Sequence, residues 1–217
     1  MISPIDGLLF DLDGTLVDSD PMHKQTWGSV LARFGIALDD ETYRRDFSGR
    51  LNPDIVARLL PQLDRAACVA LGVEKEALFR DLTPRLDPLP GAAPLIERAR
   101  QRGRKLALVT NAPRLNALHM LRAIGLADVW DAIVVAEEIG VGKPDPAPYL
   151  AGLERLGIAA ERAVAFEDSA TGVQAAAGAG IFTVGLTTSH AAEGLTGSGA
   201  RLIARDFEDP ALAPLRL

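Results

Sequence analysis

Apolar residues along this chain follow two spacings that alternate with each other. Short apolar, β-branched runs recur, and the stretches between them carry apolar residues at helical spacing. This succession is typical of βαβ units around a mainly parallel sheet. The pattern predicts five or six strands, at 5–10, 105–110, 132–136, 163–166, 181–186 and, as the sixth, 202–204, with helices at about 92–102, 114–124, 147–156 and 171–179.

The interval between the first strand and Leu89 interrupts this alternation, because it contains no strand-like run. We expect an inserted all-α domain over 16–87, and a discontinuous α/β core domain formed by 1–15 and 88–217. A third helix, at about 66–82, follows two amphipathic stripes, which are Trp27, Val30, Leu31 and Phe34, then Ile55, Val56, Leu59, Leu60 and Leu63.

The inserted segment is tethered to the core at both ends, so we expect it to act as a lid. The hinges would lie near Leu16–Asp18 and Leu86–Pro90. Helical spacing explains five residues as core packing without any ligand: Trp27, Phe34, Cys68, Phe79 and Met120.

Charge and composition narrow the range of partners. The 217 residues include 23 basic and 29 acidic ones, for a net charge of −6, which disfavours nucleic acid and anionic membrane surfaces. No apolar run reaches the roughly 20 residues of a membrane span, and the amino terminus lacks the basic start and apolar stretch of a signal peptide. We therefore expect a cytoplasmic protein, monomeric or, as the alternative, dimeric.

Polar side chains cluster at or just beyond the ends of four predicted strands. Ligands of open parallel sheets bind beyond the carboxyl ends of the strands, so these residues are expected to line one site. They are Asp11, Asp13, Gly14 and Thr15; Thr110 and Asn111; Lys143, Pro144 and Asp145; and Glu167, Asp168 and Ser169.

The expected site carries more acid than base. Asp11 and Asp13, two positions apart in an extended segment, would project their carboxylates into one space, and Glu167 and Asp168 bring the acids to four. Carboxylate and carbonyl oxygens suit Mg²⁺, which also binds substrate phosphate. The histidines, at 23, 119 and 190, show no zinc-ligand spacing. These residues, with Lys143 as the counter-charge, therefore predict a Mg²⁺ and phosphate site.

Each of these motifs taken alone has an ordinary structural explanation. Asp13 and Gly14 form a common turn dipeptide, Thr110 could cap a helix, and Lys143 could be solvated beside a proline-rich loop. The acids at 167 and 168 could cap the helix that follows. Their occurrence at successive strand ends, in the order that one fold requires, favours the functional explanation.

Four segments carry a resemblance to a known family: FDLDGTLVDS at 10–19, LVTNA at 108–112, GKPDP at 142–146 and AFEDSATGVQAA at 165–176. With them the sequence resembles the haloacid dehalogenase superfamily, populated mainly by Mg²⁺-dependent phosphotransferases. The inserted segment resembles the small helical cap of the branch with β-phosphoglucomutase and phosphoglycolate phosphatase. The resemblance covers essentially the whole chain and implies a Rossmann-like three-layer core plus an all-α cap.

The resemblance implies a mechanism for hydrolysis of a small phosphorylated metabolite. Asp11 would attack phosphorus and form an aspartyl-phosphate, and Asp13 would protonate the leaving group and then activate water. Lys143 would neutralise charge, whereas Thr15 would only close a turn.

The resemblance also implies which groups bind phosphate and metal. Thr110 and the amide of Asn111 would bind phosphoryl oxygens at the start of the following helix, and Gly14 would permit a tight exit from the strand. The implied Mg²⁺ ligands are Asp11, the main-chain carbonyl of Asp13, Asp168, and Glu167 directly or through water.

Cap residues bear on the substrate. His23 and Lys75 match positions in the β-phosphoglucomutase branch, although a polar residue at a helix start and an exposed helix lysine explain them as well. That mutase carries an arginine three residues after the glycine matching Gly49, where this sequence has Asn52, with Arg50 as a neighbouring candidate for substrate binding. This departure favours hydrolysis to water.

Four alternatives are weighed against a phosphatase. A sugar-phosphate mutase is the alternative, and a non-catalytic scaffold ranks lower because the catalytic set is complete. Dehalogenation is disfavoured, since dehalogenases of the superfamily lack the second aspartate, which is Asp13 here. A phosphonate hydrolase would need a cap lysine for a Schiff base, for which Lys24 and Lys75 are available.

Overall fold

The computed structural model describes residues 4–47 and 50–216. Within these residues the chain forms a six-stranded, fully parallel sheet, which confirms the expected α/β architecture. The strands are β1 (Gly7–Phe10), β2 (Lys105–Thr110), β3 (Ala132–Val135), β4 (Ala163–Glu167), β5 (Phe182–Leu186) and β6 (Leu202–Ala204).

The strand order is β3-β2-β1-β4-β5-β6. After β1 the chain adds β2 and β3 on one side of it and then β4, β5 and β6 on the other side, so the order of strands switches between β1 and β4. Phe10 at the end of β1 pairs with Leu108 of β2 and Phe166 of β4. The segments that leave these strands therefore begin at similar levels. Ligands of such sheets bind at this topological switch point, beside β1 and β4.

Helices connect the strands and build the inserted segment. Those of the inserted segment are α1 (Asp20–Ala32), α2 (Asp40–Asp46), α3 (Asn52–Leu59) and α4 (Arg65–Leu82). Those that follow are α5 (Ala92–Gln101), α6 (Arg114–Ala123), α7 (Ala136–Ile139), α8 (Ala147–Leu156), α9 (Ala170–Gly178) and α10 (Ala192–Gly197).

Apolar residues cover both faces of the sheet. On one face Leu9, Val109 and Ala165 pack in one cluster with α8 and α9. Gly152 lets α8 approach closely, since a Cβ there would lie 2.9 Å from a methyl group of Leu9. An aromatic cluster consists of Phe10, Phe166, Phe207 and Trp130, with Phe10 and Phe166 stacked 5.0 Å apart.

Local signals determine where the helices beside the site begin and end. A proline in the first turn of α8 removes no helical hydrogen bond, because amide groups in the first turn have no partner within the helix. Gly157 ends that helix in the left-handed conformation. Ser169 caps α9, because its hydroxyl accepts a 3.0 Å hydrogen bond from the amide of Gly172.

The chain divides into two compact units, one formed by Met1–Asp18 and Leu86–Leu217 and the other by Ser19–Arg85. Leu16 and Val17, assigned above to the inserted segment, belong to the first unit because they close the turn after β1. The amide of Gly14 donates to the carbonyl of Val17 at 2.7 Å. The amide of Leu89 donates to the carbonyl of Leu16 at 2.7 Å, so the two connections lie side by side.

The second unit has its own apolar core, in which Trp27 and Cys68 are buried as expected. Burial of Phe79 and Met120 is likewise confirmed. The expectation for Phe34 is wrong, because α1 ends at Ala32 and leaves this side chain 41% exposed. The Ser48 and Gly49 positions lie outside the described residues.

In the part of the chain that the structure describes, every helix is too short or too polar to cross a membrane.

Candidate active site

Asp11 is the first residue after β1, where the strand delivers it to the switch point. Its amide donates to the carbonyl of Phe166 at 3.1 Å, which ties the segment to β4. Its side chain is buried, and its Oδ1 atom accepts a 2.5 Å hydrogen bond from the Nζ atom of Lys143. The expected nucleophile and the expected counter-charge are therefore in direct contact.

Lys143 joins two carboxylates. Its Nζ atom also donates to Oε1 of Glu167 at 2.5 Å, and Glu167, the last residue of β4, is fully buried. Burial alone would lower the pKa of Lys143, but the charges of Asp11 and Glu167 overcome this effect and hold the pKa above its ordinary value. Lys143 is therefore a permanent cation at this site.

Burial raises the pKa of the Asp11 carboxyl to about 7. The charge of Lys143 opposes the shift, whereas the charge of Glu167 and, to a lesser extent, that of Asp13 add to it. The side chain of Asp13 is half-buried.

The turn after β1 packs against Asp168. A Cβ at Gly14, which has a φ of 75°, would overlap the Asp168 carboxylate and lie 2.7 Å from the hydroxyl of Ser189. Only glycine fits this conformation and this close approach. The hydroxyl of Thr15, fully buried, donates to Oδ1 of Asp168 at 3.2 Å. Thr15 thus does more than close a turn, because it orients an acid of the site.

The acidic groups fit a hard divalent cation. Ligand oxygens of Asp11, Glu167 and Asp168 lie within 4.8 Å of one another, and all three residues are buried. When all three carboxylates are ionised, Lys143 offsets one of their charges and two negative charges remain in a buried site. Carboxylate oxygens so grouped are the ligands that Mg²⁺ prefers, and two positive charges match the excess.

Thr110 is the last residue of β2 and Asn111 follows it, and both precede the next helix, because α6 begins only at Arg114. The expectation that they lie at the helix start is therefore wrong. Thr110 is buried, and its hydroxyl accepts a 3.0 Å hydrogen bond from the amide of Ala112. The side chain of Asn111 clamps the backbone of Lys143, accepting from its amide at 3.0 Å and donating to its carbonyl at 3.4 Å.

Tyr149 in α8 belongs to the same cluster, although the sequence analysis did not single it out. Its hydroxyl donates to Oε1 of Glu167 at 2.7 Å, and its ring lies 5.3 Å from the Nζ atom of Lys143. Burial, followed by the charge of Glu167, raises the pKa of this hydroxyl well above its usual value, so it stays protonated. The available signal was a tyrosine six residues after Lys143, on the apolar face of a helix.

Within the second unit the structure brings His23 and Lys75 together. The Lys75 Nζ atom lies 2.6 Å from Nδ1 of His23 and 2.8 Å from Oε1 of Glu76, which accepts a 2.5 Å hydrogen bond from Asn52. Lys75 is only 2% exposed, so it is not the exposed helix lysine considered as an alternative. Arg50, by contrast, is exposed.

The chain is similar to known hydrolases and phosphatases, which agrees with the geometry of the site. A family profile described as haloacid dehalogenase-like hydrolase matches residues 5–180. The chain is 34% identical over 189 residues to validoxylamine A 7'-phosphate phosphatase of Streptomyces hygroscopicus subsp. limoneus, across 86% of this chain and 88% of that protein. It is 33% identical over 211 residues to phosphoglycolate phosphatase of Rhodospirillum rubrum, across 92% of this chain and 87% of the relative.

One solved structure has the same fold as this chain over nearly the whole length of both proteins. It is CbbY from Rhodobacter sphaeroides in complex with phosphate, which is 29% identical and has a TM-score of 0.85. The match covers 98% of this chain and 100% of that one.

Proposed function

The chain belongs to the haloacid dehalogenase-like hydrolase family, and we propose that within it the protein is a Mg²⁺-dependent phosphatase of small phosphomonoesters. The substrate class is a sugar phosphate or a phosphoglycolate-like metabolite, as the names of the relatives suggest. Neither nucleic acid nor a membrane is among the proposed partners, and the proposed location is the cytoplasm.

One observation carries this proposal. Asp11, a buried carboxylate at the switch point, lies 2.5 Å from a permanent ammonium group and within reach of two further acids. Such a site can receive a phosphoryl group and offset its charge, because phosphoryl transfer depends mainly on positioning and electrostatic stabilisation.

The chain's own residues would divide the reaction into two displacements. The Asp11 carboxylate attacks phosphorus while Asp13 donates a proton to the departing alkoxide, which leaves an aspartyl-phosphate on Asp11. Asp13 then accepts a proton from the water that attacks this phosphorus, and Asp11 is released with inorganic phosphate. Lys143 opposes the rise that burial causes in the pKa of Asp11, and it would offset charge on the phosphoryl oxygens.

Mg²⁺ would be held by Asp11, Glu167, Asp168 and the main-chain carbonyl of Asp13, and it would supply charge neutralisation and orientation of the phosphoryl group. Thr110 and the amide of Asn111 would donate hydrogen bonds to the phosphoryl oxygens.

The second unit would select the leaving group, through His23 and Lys75 and with Arg50 as a further candidate. The side-chain Nδ2 atom of Asn52 donates to Oε1 of Glu76, so a neutral side chain stands at the position that matches the mutase's arginine for a second phosphate. This favours hydrolysis of a monophosphate over a mutase, which has to retain a bisphosphate.

A phosphate-release screen over sugar phosphates, phosphoglycolate and nucleotides with Mg²⁺ tests the proposal. We expect release from at least one monophosphate, its loss in Asp11→Asn, and a strong decrease in Asp13→Asn. Retained turnover by Asp11→Asn would contradict the mechanism. Conversion of glucose 1-phosphate to glucose 6-phosphate with little free phosphate would identify a mutase instead.

A further inference from the structure

Two hydrogen-bond donors share one oxygen of Glu167. Oε1 accepts from Lys143 at 2.5 Å and from the Tyr149 hydroxyl at 2.7 Å. The Glu167 side chain is fully buried. The other oxygen, Oε2, makes a long 3.4 Å contact with the hydroxyl of Ser169. Oε2 is therefore the oxygen that remains able to serve a cation.

The Glu167 carboxylate occupies space left by a glycine. It lies over the first turn of α9, where a Cβ at Gly172 would overlap the carboxylate. The carboxylate is thus confined by the α9 backbone on one side and by the Tyr149 hydroxyl on another. The directions of its two oxygens therefore depend on these neighbours.

Tyr149 itself is fixed by packing rather than by its hydrogen bond. It is fully buried among Leu9, Val109 and Leu153, and Gly152 brings its helix close to the sheet. Its ring lies 5.3 Å from Lys143 Nζ while its hydroxyl reaches Glu167, so one rigid side chain contacts both members of this ion pair. A rigid donor of this kind sets the direction of the acceptor.

We infer that Tyr149 is a positioning residue of the active site, whose hydroxyl directs Oε1 of Glu167 to Lys143 and keeps Oε2 for the metal. This inference rests on the Mg²⁺ site of the proposed function. Hydrogen-bond partners of metal-binding carboxylates typically change metal affinity or activity by about 10- to 100-fold when removed.

Tyr149→Phe tests the inference, because it removes the hydroxyl and retains the ring beside Lys143. Titration calorimetry of Mg²⁺ into the metal-free full-length protein should show binding weakened by roughly 10- to 100-fold. The Mg²⁺ concentration for half-maximal phosphate release should rise by the same factor. KM for the phosphate ester at saturating Mg²⁺ should stay the same, since the phosphoryl-binding groups are unaffected.

Tyr43→Phe is the matched control. The Tyr43 hydroxyl donates to Oδ1 of Asp20 at 3.0 Å, so this variant also loses a tyrosine–carboxylate hydrogen bond, but in the other unit. Its Mg²⁺ affinity should equal that of the wild type.

A double-mutant cycle separates positioning from a general structural role. In a Glu167→Gln background, Tyr149→Phe should cause no further loss of Mg²⁺ affinity, because the group that it orients is already altered. The same loss in both backgrounds would show that the hydroxyl acts elsewhere, and wild-type Mg²⁺ affinity in a folded Tyr149→Phe protein would also overturn the inference. Neither outcome depends on turnover, so the proposed phosphatase activity would still stand or fall on Asp11→Asn.

Discussion

One atom, Nζ of Lys143, determines the charge balance of the candidate site. One ammonium group contacts both Asp11 and Glu167, and the side chain of Asn111 clamps the backbone that carries it. Removing one member of a buried ion pair leaves its partners uncompensated, which is much more costly than losing an exposed pair. The site should therefore be far more sensitive to Lys143 than to any surface lysine.

Lys143→Met should reduce kcat for phosphate release by roughly 10²- to 10³-fold, the usual effect of removing a preorganised electrostatic group. Steady-state kinetics at saturating Mg²⁺ measures this. Lys105→Met is the matched control, since Lys105 is 53% exposed in its side chain and pairs with Asp131 at 3.5 Å. Equal kinetics for the two variants would contradict the assignment of Lys143.

Gly172→Ala should weaken Mg²⁺ binding by about tenfold or more, because the new methyl group has to displace the Glu167 carboxylate. Gly178→Ala, in the same helix, is the control, since its Cβ would meet Pro146 only at an ordinary 3.6 Å. Calorimetry with metal-free protein should separate the two. Unchanged binding in Gly172→Ala would exclude Glu167 from the metal site.

At the scale of elements, the strands were predictable because buried parallel strands are continuous apolar runs bounded by polar residues. The helices that the sequence analysis missed are α2, α7 and α10, which are only 7, 4 and 6 residues long. Helices this short are marginal by themselves and form through their caps and tertiary contacts. The apolar spacing therefore gave no signal for them.

Asp39 caps α2, and its carboxylate accepts a 2.7 Å hydrogen bond from the amide of Thr42, which holds the pKa of Asp39 below its ordinary value of 3.8. The charged form thus stabilises the folded state above pH 3.8, and this contribution is lost as the pH falls through the lowered pKa. Asp39→Asn lacks it at every pH. Urea unfolding should show the stability difference between the two proteins shrinking on acidification, and a difference that does not change with pH would contradict this account.

At the scale of the whole molecule, the candidate chemistry belongs to one unit. All proposed metal and phosphoryl ligands lie in the unit formed by Met1–Asp18 and Leu86–Leu217. The hydrogen bond between Leu89 and Leu16 places the two connections to Ser19–Arg85 next to each other. The insertion can therefore leave and re-enter the first unit without opening its sheet.

Replacing residues 19–85 with a short glycine-serine linker should leave a folded protein that binds Mg²⁺ with nearly wild-type affinity. Discrimination among phosphate esters should decrease, because the proposed selecting residues His23 and Lys75 are removed. Circular dichroism, Mg²⁺ calorimetry and the phosphate-release screen measure the three properties. Loss of Mg²⁺ binding in a folded variant would show that the second unit contributes to the metal site.

The sequence by itself determined the sheet and the composition of its polar edge. Continuous apolar runs and the rule that ligands bind beyond parallel strand ends were sufficient to group Asp11, Lys143, Glu167 and Asp168. These inferences use only local pattern and chain order, which a sequence contains.

Only the tertiary structure decided which atoms meet. It showed that Thr15 orients Asp168, that Asn111 holds Lys143, and that Tyr149 shares an oxygen of Glu167 with Lys143. Tyr149 and Glu167 belong to different elements, and a buried tyrosine on an apolar helix face has the same local pattern whether or not its hydroxyl reaches an acid. The physical reason is that such contacts depend on how closely α8 packs on the sheet, a distance set by Gly152 and the side chains beneath it.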